Sequence, residues 1–419
     1  MRVLLVGGGG REHALGWKLA QSDIITDLIA VPGNPGFAQL GACVPGIDIL
    51  DPQAIVDLAL ANAIDLVVIG PEAPLAAGVV DALTAAGIRA FGPTRAAAQL
   101  ESSKAFAKTI MKRAGVPTAD WRAFTDVDEA IAYLETIDGP YVVKADGLAY
   151  GKGVLVTEDL IAAQGWARLC IAGEFGEAGS TVVIERFLPG REVSVFAICD
   201  GTRAVALEPA RDYKRHRDGG RGPNTGGMGC YSPVDDLPED LVDRTIDEIF
   251  HPVLGEMSKD GIEYRGFLYA GLVLTDDGPK VLEFNCRLGD PETQVLLTRL
   301  NEDFLELLAS AAEGYLPDGP LNWHEEAVVD VVLTAAGYPD NAEIGRAISG
   351  VNEVNSLPNV KVFHANTRRT PDGLVTAGGR VLNIVASGPT LADARRLAYD
   401  AASHIHFGGI HYRRDVAQA

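Results

Sequence analysis

Cysteine is scarce in this sequence and shows no pairing pattern. Five cysteines (Cys43, Cys170, Cys199, Cys230 and Cys286) occur in 419 residues, an odd number with no CxxC spacing. That argues against a disulfide framework or a zinc site and fits a reducing cytosol. Basic residues are also few, 36 Lys and Arg against 57 Asp and Glu, for a formal net charge of -21. Such a chain repels nucleic acid and anionic membranes in general, so neither is expected as a partner, and local basic patches become informative. No apolar run approaches the ~20 residues of a spanning helix. Residues 1–6 (MRVLLV) lack the layout of a secretory leader, and the expected location is cytoplasmic. Two nucleotide motifs are missing as well. The GxxxxGK[ST] loop is absent. Counting GxGxxG from Gly7 or Gly8 puts its third glycine on Glu12 or His13, and the next run (28–31) ends in Pro32-Gly33 without an acid for a ribose. A nicotinamide oxidoreductase is therefore disfavoured.

The remaining composition, 47% hydrophobic and 22% charged, is that of a globular chain with core enough for roughly two to four domains. One stretch organises it: Lys280-Val-Leu-Glu283-Phe-Asn285-Cys286-Arg287-Leu-Gly-Asp290-Pro291-Glu292. The apolar run 267–274 and the turn residues 275–279 before it predict a β-hairpin. Strict alternation places Val281, Glu283, Asn285 and Arg287 on one face, and Leu282, Phe284 and Cys286 on the other, toward a core. A carboxylate, an amide oxygen and a guanidinium on one rigid face suit a divalent cation carrying phosphate, since Mg²⁺ prefers hard oxygens and Arg forks onto phosphate. An edge strand with a wet face would read the same way.

Taken in order, residues 2–6 read as a buried strand, Gly7 to Gly10 as a tight turn and Arg11 onward as a helix with Leu15 and Leu19 inward. Gly9 and Gly10 would present amides to an anion at the helix start. His13 reads as a helix-start residue with a satisfied hydrogen bond. Strands at 64–69 and 88–91, with a helix from about Leu75, complete a small doubly wound unit to about residue 100. Glu72, beyond a strand's carboxyl end, is either a substrate contact or a carboxylate meeting a helix dipole.

A helix from Glu101 carries Lys104 and Lys108. Residues 141–156 read as two strands joined by a glycine-rich loop, in which Lys144 and Lys152 accompany Gly147, Gly151 and Gly153. That composition fits a lid over phosphates better than a bare hairpin. Residues 181–188 and 191–198 are strands broken by Pro189-Gly190, with Glu192 and Ser194 on one face. Such a joint can grip an adenine and a ribose, or be a plain hairpin. Asp212 and Lys214 lie in a basic run (211–221) ahead of the glycine-dense segment holding Gly227 and Met228, which suggests a loop for an anionic substrate. A helix is expected at 241–257 and one long helix from Val295 to Gly314. After a linker at 317–320, strands at 328–333, 360–363 and 380–385 and a helix from Thr390 form a β-rich unit. Gly378-Gly379-Arg380 could hold an anion or be a structural turn.

Several runs together carry a resemblance: Gly8-Gly-Gly-Arg-Glu-His-Ala-Leu15, Gly70-Pro-Glu-Ala-Pro-Leu75, Lys144-Ala-Asp-Gly-Leu-Ala, Gly222-Pro-Asn-Thr-Gly-Gly-Met-Gly229, Glu283-Phe-Asn285-Cys, and Arg287-Leu-Gly-Asp-Pro-Glu-Thr-Gln294. In that order they closely resemble the phosphoribosylamine–glycine ligases of the ATP-grasp superfamily. Two residues depart from the pattern: Tyr150, where a small residue is usual in the lid, and Arg186, where a second acid is common.

The resemblance implies an α/β and α+β multidomain chain: a Rossmann-like N-terminal domain (1–102), an ATP-grasp domain (103–322) with a mobile lid (119–190), and a small β-rich C-terminal domain (326–419). It implies ATP-dependent ligation of glycine to 5-phosphoribosylamine through glycyl phosphate, with Mg²⁺ or Mn²⁺, by a monomer acting on small molecules. Lys104 and Lys144, with lid residues Gly147, Gly151, Lys152 and Gly153, would contact the nucleotide phosphates. Glu185, Arg186, Phe187 and Leu188 would line the adenine, Glu192 the ribose, and Glu283 and Asn285 the metal. Arg287 would act at the reacting phosphoryl group. For the other substrates the candidates are Gly9, Gly10, Glu72, Asp212, Lys214, Gly227, Met228, Asp290 and Arg380. A carboxylase of the biotin-carboxylase or aminoimidazole-ribonucleotide type shares the Glu-x-Asn-x-Arg logic and is the alternative. A nucleotide-binding regulator without turnover is disfavoured by the intact acid, amide and cations.

Overall fold

The computed structural model describes residues 1–148, 153–174 and 180–418. The first sheet is parallel: β1 (Arg2–Gly7), β2 (Asp27–Pro32), β3 (Ala42–Cys43), β4 (Leu66–Ile69) and β5 (Ala90–Phe91), in the order β3-β2-β1-β4-β5. From Val3 to Val6 β1 is apolar and buried, as both faces are covered. Leu4 and Val6 pack on one side with Ile55 and Val79, while Val3 and Leu5 pack on the other with Leu15 and Leu19. The helix after β4 is Glu72–Ala77, starting three residues before the expected Leu75. A further helix, Pro52–Ala61, had a legible start signal: Asp51 accepts from Gln53 and Ala54 backbone N–H, with proline in the first turn. Gly7 at the tip of β1 has φ +128°, and a side chain there would collide with Glu12.

The second sheet holds β6 (Trp121–Phe124), β7 (Tyr141–Ala145), β8 (Val154–Thr157) and β9 (Val182–Arg186), ordered β6-β9-β7-β8. Helices Val127–Leu134 and Leu160–Ile171 bury Ala130, Leu134, Ala163 and Ala167 against Val143 and Ile184.

The third sheet begins with β10 (Arg191–Asp200) and β11 (Ala204–Asp212). A side hairpin, β12 (Arg215–Arg217) with β13 (Arg221–Asn224), interrupts the run before β14 (Gly229–Ser232), β15 (Arg265–Thr275) and β16 (Gly278–Asn285). β17 (Ala327–Thr334), β18 (Val360–His364) and, after the β19 (Thr367–Thr370) and β20 (Gly373–Thr376) hairpin, β21 (Arg380–Gly388) complete it. The eight strands run β16-β15-β10-β11-β14-β17-β21-β18. The C-terminal strands therefore extend the central sheet, joined where β14 pairs with β17 from Gly229↔Val331 to Ser232↔Val328.

Three local expectations differ from what is found. β9 and β10 do not form a hairpin but lie in separate sheets, so Pro189-Gly190 is a joint between sheets. The helix expected from Val295 to Gly314 is two, Glu292–Arg299 and Phe304–Glu313. Leu300 is extended, its carbonyl taken by Lys18 Nζ at 2.5 Å, and Asp303 caps the second helix by accepting from Glu306 N at 3.1 Å. Periodicity alone does not report that break. The helix at 241–257 continues to Lys259 but contains a π-helical turn, Ile246–Phe250. Pro252, which cannot donate to a preceding carbonyl, lies two residues beyond that turn. Among the described residues no helix is long and apolar enough to cross a membrane.

Candidate active site

The hairpin of β15 and β16 forms as the sequence predicts, with one correction. Leu272 pairs with Val281 but Gly271 pairs with Glu283, so a bulge at Leu282 breaks the register. An extra residue reverses the parity of everything before it. Val281 accordingly sits in the core with Phe284 and Cys286, and Leu282 joins the cleft wall. Strict alternation had assigned both to the opposite faces. Glu283, Asn285 and Arg287 keep the common face predicted for them, on a cleft of about 560 Å³. That volume lies within the usual range for a small-molecule site. Backbone beyond the bulge is held by the segment after helix Lys104–Ala114: Val281 N donates to Pro117 O at 2.9 Å, and Thr118 Oγ1 to Val281 O at 2.6 Å.

Arg287 is the best-anchored cation on this face. Its Nε donates to Glu72 Oε2 at 3.1 Å, and its Nη2 to Glu101 Oε1 at 2.6 Å and Asn285 Oδ1 at 3.1 Å. Burial raises the Glu72 carboxyl, but Arg287 and Arg11 more than reverse this and hold it at about 2. Burial wins at Glu101, pushed up to about 7 despite Arg287. Burial also raises Glu283, yet Lys214, Lys144, Lys104 and Arg287 together hold it below the ordinary carboxylate value. Glu283 is thus an anion among fixed positive charges.

The opposite wall comes from the second sheet and the helix Lys104–Ala114. Lys104 Nζ donates to Gly147 O at 2.9 Å, and Lys144 Nζ on β7 reaches Leu282 O on β16 at 3.2 Å. Both lysines line the cleft with Gly147, Gly153, Glu185 and Arg186, and Phe187, Leu188 and Glu192 continue the wall. Gly151 and Lys152, like Tyr150, lie outside the described residues. Glu185 is buried and pairs with Lys108 and Lys144, each at 2.8 Å. Its carboxylate therefore fixes two lysines.

Of the substrate candidates, Glu72, Asp212, Lys214, Asp290 and Arg380 line the same cleft. Arg380 Nη2 pairs with Asp290 Oδ2 at 3.3 Å, and its Nη1 donates to Gly226 O at 2.8 Å. Gly9, Gly10, Gly227 and Met228 stand behind the wall. Gly9 N donates to Glu12 Oε2 at 2.7 Å; side chains at Gly10 or Gly227 would collide with Asn383 or Pro291, and Met228 is buried. In the basic run, Arg215, Arg217 and Arg221 are exposed outside the cleft, and Lys214 alone of its basic residues lines it. His13 is buried and accepts from His364 N at 2.9 Å through Nδ1, a satisfied structural role.

Sequence reasoning missed Glu101, Glu292, Lys108 and Arg11 as cleft residues. Lys108 lies one helical turn beyond Lys104, a signal that was available. Glu101 had none, because its partner Arg287 is far away in the chain.

Among the described residues no group of three or more His, Cys, Asp or Glu is placed to hold a metal. The oxygens of Glu283 and Asn285 nevertheless fit Mg²⁺ or Mn²⁺, which take one or two protein ligands and fill the rest with water and phosphate. A cleft with these two oxygens, three flanking lysines and an anchored arginine can position a phosphoanhydride and neutralise charge in its transfer.

Comparison with known proteins gives matches along most of the chain. Residues 1–101 match a family model described as the N domain of phosphoribosylglycinamide synthetase, 102–293 its ATP-grasp (A) domain and 328–419 its C domain. A phosphoribosylamine–glycine ligase of Rhizobium meliloti is 47% identical over 416 residues, 99% of this chain and 98% of that protein. One from Leifsonia xyli is 48% identical over 420 residues, covering 100% and 99%. The crystal structure of a phosphoribosylamine–glycine ligase from Thermotoga maritima is 38% identical, with a TM-score of 0.87 over 99% of this chain and 100% of that one. A biotin carboxylase from Campylobacter jejuni, 18% identical with a TM-score of 0.74 over 98% and 92%, shares the fold alone.

Proposed function

We propose, from the premise that the chain belongs to the phosphoribosylglycinamide synthetase family, that the cleft between β16 and the second sheet is its active site. The chain is an ATP-dependent ligase: it joins glycine to 5-phosphoribosylamine, giving glycinamide ribonucleotide, ADP and phosphate in purine biosynthesis. The observation carrying the site assignment is that Glu283, Asn285 and Arg287 face Lys104 and Lys144 across one cleft.

The residues divide the work as follows. Lys104 and Lys144 hold the ATP phosphates, and backbone at 185–188 holds the adenine, with Glu192 near the ribose. Glu283 and Asn285 hold Mg²⁺ or Mn²⁺, which supplies charge neutralisation at the transferred phosphoryl group when bound. Glycine's carboxylate oxygen is a poor leaving group. Transfer of the γ-phosphoryl group makes glycyl phosphate, and phosphate then departs as the amine attacks. Arg287, fixed by Glu72 and Glu101, stabilises charge on the moving phosphoryl oxygens. An acyl phosphate hydrolyses in water, so the glycine-rich segment between β7 and β8 serves as the lid that excludes it. The phosphate of phosphoribosylamine goes to the Arg380 and Lys214 end.

The working divisions are 1–102, 103–322 with a lid at 119–190, and 326–419. Family resemblance also carries the expectation of a monomer, while cysteine usage and the net charge of -21 carry those of cytoplasmic location and of no nucleic-acid partner. A coupled ADP-release assay tests the reading: release must depend on both glycine and phosphoribosylamine. Release driven by bicarbonate without glycine would instead support the carboxylase alternative.

A further inference from the structure

We propose that Glu292 is the base that takes the proton from the phosphoribosylamine nitrogen as it attacks the glycyl carbonyl, an inference resting on the ligase reading above. Glu292 opens the helix Glu292–Arg299, is 3% exposed and lines the cleft together with Glu283, Asn285 and Arg380. Its carboxylate folds back over Gly289, where any side chain would strike it. The residue thus stands by the wall that carries both the metal side and the Arg380 end.

Chemistry requires such a group. The N–C bond forms, the C–O bond to phosphate breaks, and phosphate leaves with the electron pair. The attacking nitrogen must shed one proton, which passes to a Glu292 oxygen and then to solvent. Without an acceptor, the protonated adduct would expel the amine again.

Six of the seven other cleft carboxylates have a cation or donor of their own, Glu192 through Lys214 Nζ at 3.2 Å, and the seventh, Asp212, shares its surroundings with Glu292. Glu283 is held anionic by four cations, Glu72 by Arg287 and Arg11, and Glu185 by two lysines. Asp290 is tied to Arg380 and to Gln294 Nε2 at 2.9 Å. Glu101 already accepts from Arg287 and from Cys286 N at 2.7 Å.

The groups felt at Glu292 come from every neighbouring element. They are Asp212 on β11 and Lys214 after it, Tyr269 on β15, Arg287 after β16, Cys230 on β14, Asp330 on β17 and Arg380 on β21. Burial, and next the Asp212 carboxylate, push Glu292 up to about 7, against the pull of Lys214 and Arg287. A base with that affinity accepts protons readily near neutral pH.

The test uses the full chain and two nucleophiles. Hydroxylamine, unprotonated at neutral pH, traps glycyl phosphate as glycine hydroxamate without a base. In Glu292→Gln, hydroxamate formation should stay within about threefold of wild type while ribonucleotide formation falls at least ~100-fold. The acidic limb of kcat near pH 7 should flatten. Asp212→Asn, removing the charge that raises Glu292, should move that limb to lower pH. Should the Gln variant not fold, Glu292→Asp carries the test: the limb persists and ribonucleotide formation drops. Ribonucleotide formation unchanged in either variant, or a parallel loss of both products in Glu292→Gln, overturns the proposal. Failure of the wild type to make hydroxamate would instead undo the ligase reading.

Discussion

Lys108 and Glu185 lie 2.8 Å apart, each with a side chain only 2% exposed. The pair joins the helix Lys104–Ala114 to the end of β9, and Glu185 holds Lys144 in place on its other side. Burial pulls the Lys108 ammonium down to about 8 against the attraction of Glu185. Breaking a buried pair from one side leaves a charge without its partner. Glu185→Gln, which strips both Lys108 and Lys144 of their partner, should therefore cost about 3–5 kcal/mol in urea unfolding, and adding Lys108→Met should recover part of it. A single variant within about 1 kcal/mol of wild type would show that the pair does not matter to stability.

Glu283→Ala should abolish glycine-dependent ADP formation while leaving a cooperative unfolding transition. Turnover unchanged at saturating Mg²⁺ would remove Glu283 from the metal site. Lys144→Met should raise the ATP KM or lower kcat by about tenfold or more, and a change under about threefold would reject its phosphate role.

Arg380→Ala should raise the KM for phosphoribosylamine and leave that for ATP within about twofold, because Arg380 is seated on Asp290 and Gly226. A rise confined to the ATP KM would place the sugar phosphate elsewhere.

Acid should loosen the seam between the first helix and β18. Burial, and then His364, lower His13 to about 3, and its Nδ1 must stay unprotonated to accept from His364 N. The unfolded chain then binds more protons than the folded one between pH 6.5 and about 3. Stability from this group is complete above pH 6.5 and is lost as pH falls through that window, at no more than ~1.4 kcal/mol per unit. His364, lowered to about 4 by burial and then Arg369, adds in the same direction. His13→Gln should flatten the stability slope between pH 6.5 and 5; an unchanged slope assigns it to other groups.

Local features were legible in the sequence and long-range ones were not. Alternation found the face of Glu283, Asn285 and Arg287, since three residues two apart need nothing but a strand. It misplaced Val281 and Leu282 because the bulge depends on pairing with Gly271, a partner in another strand. Glycine and lysine density marked the wall that Lys104, Lys144 and Gly147 form. Glu101 stayed hidden, being brought to Arg287 by the fold alone. The break at Leu300 was equally silent, as it is set by Lys18 from the first helix.

The junction of β14 with β17 has a practical consequence for anyone cutting the chain into pieces. A fragment ending before Ala327 would expose the amide and carbonyl row of Gly229–Ser232, a ready template for strand-to-strand aggregation. The complementary fragment would bare the matching rim of β17, every residue of which is buried in the intact chain. Split halves should therefore be insoluble apart and, if refolded together, should recover by re-forming this seam.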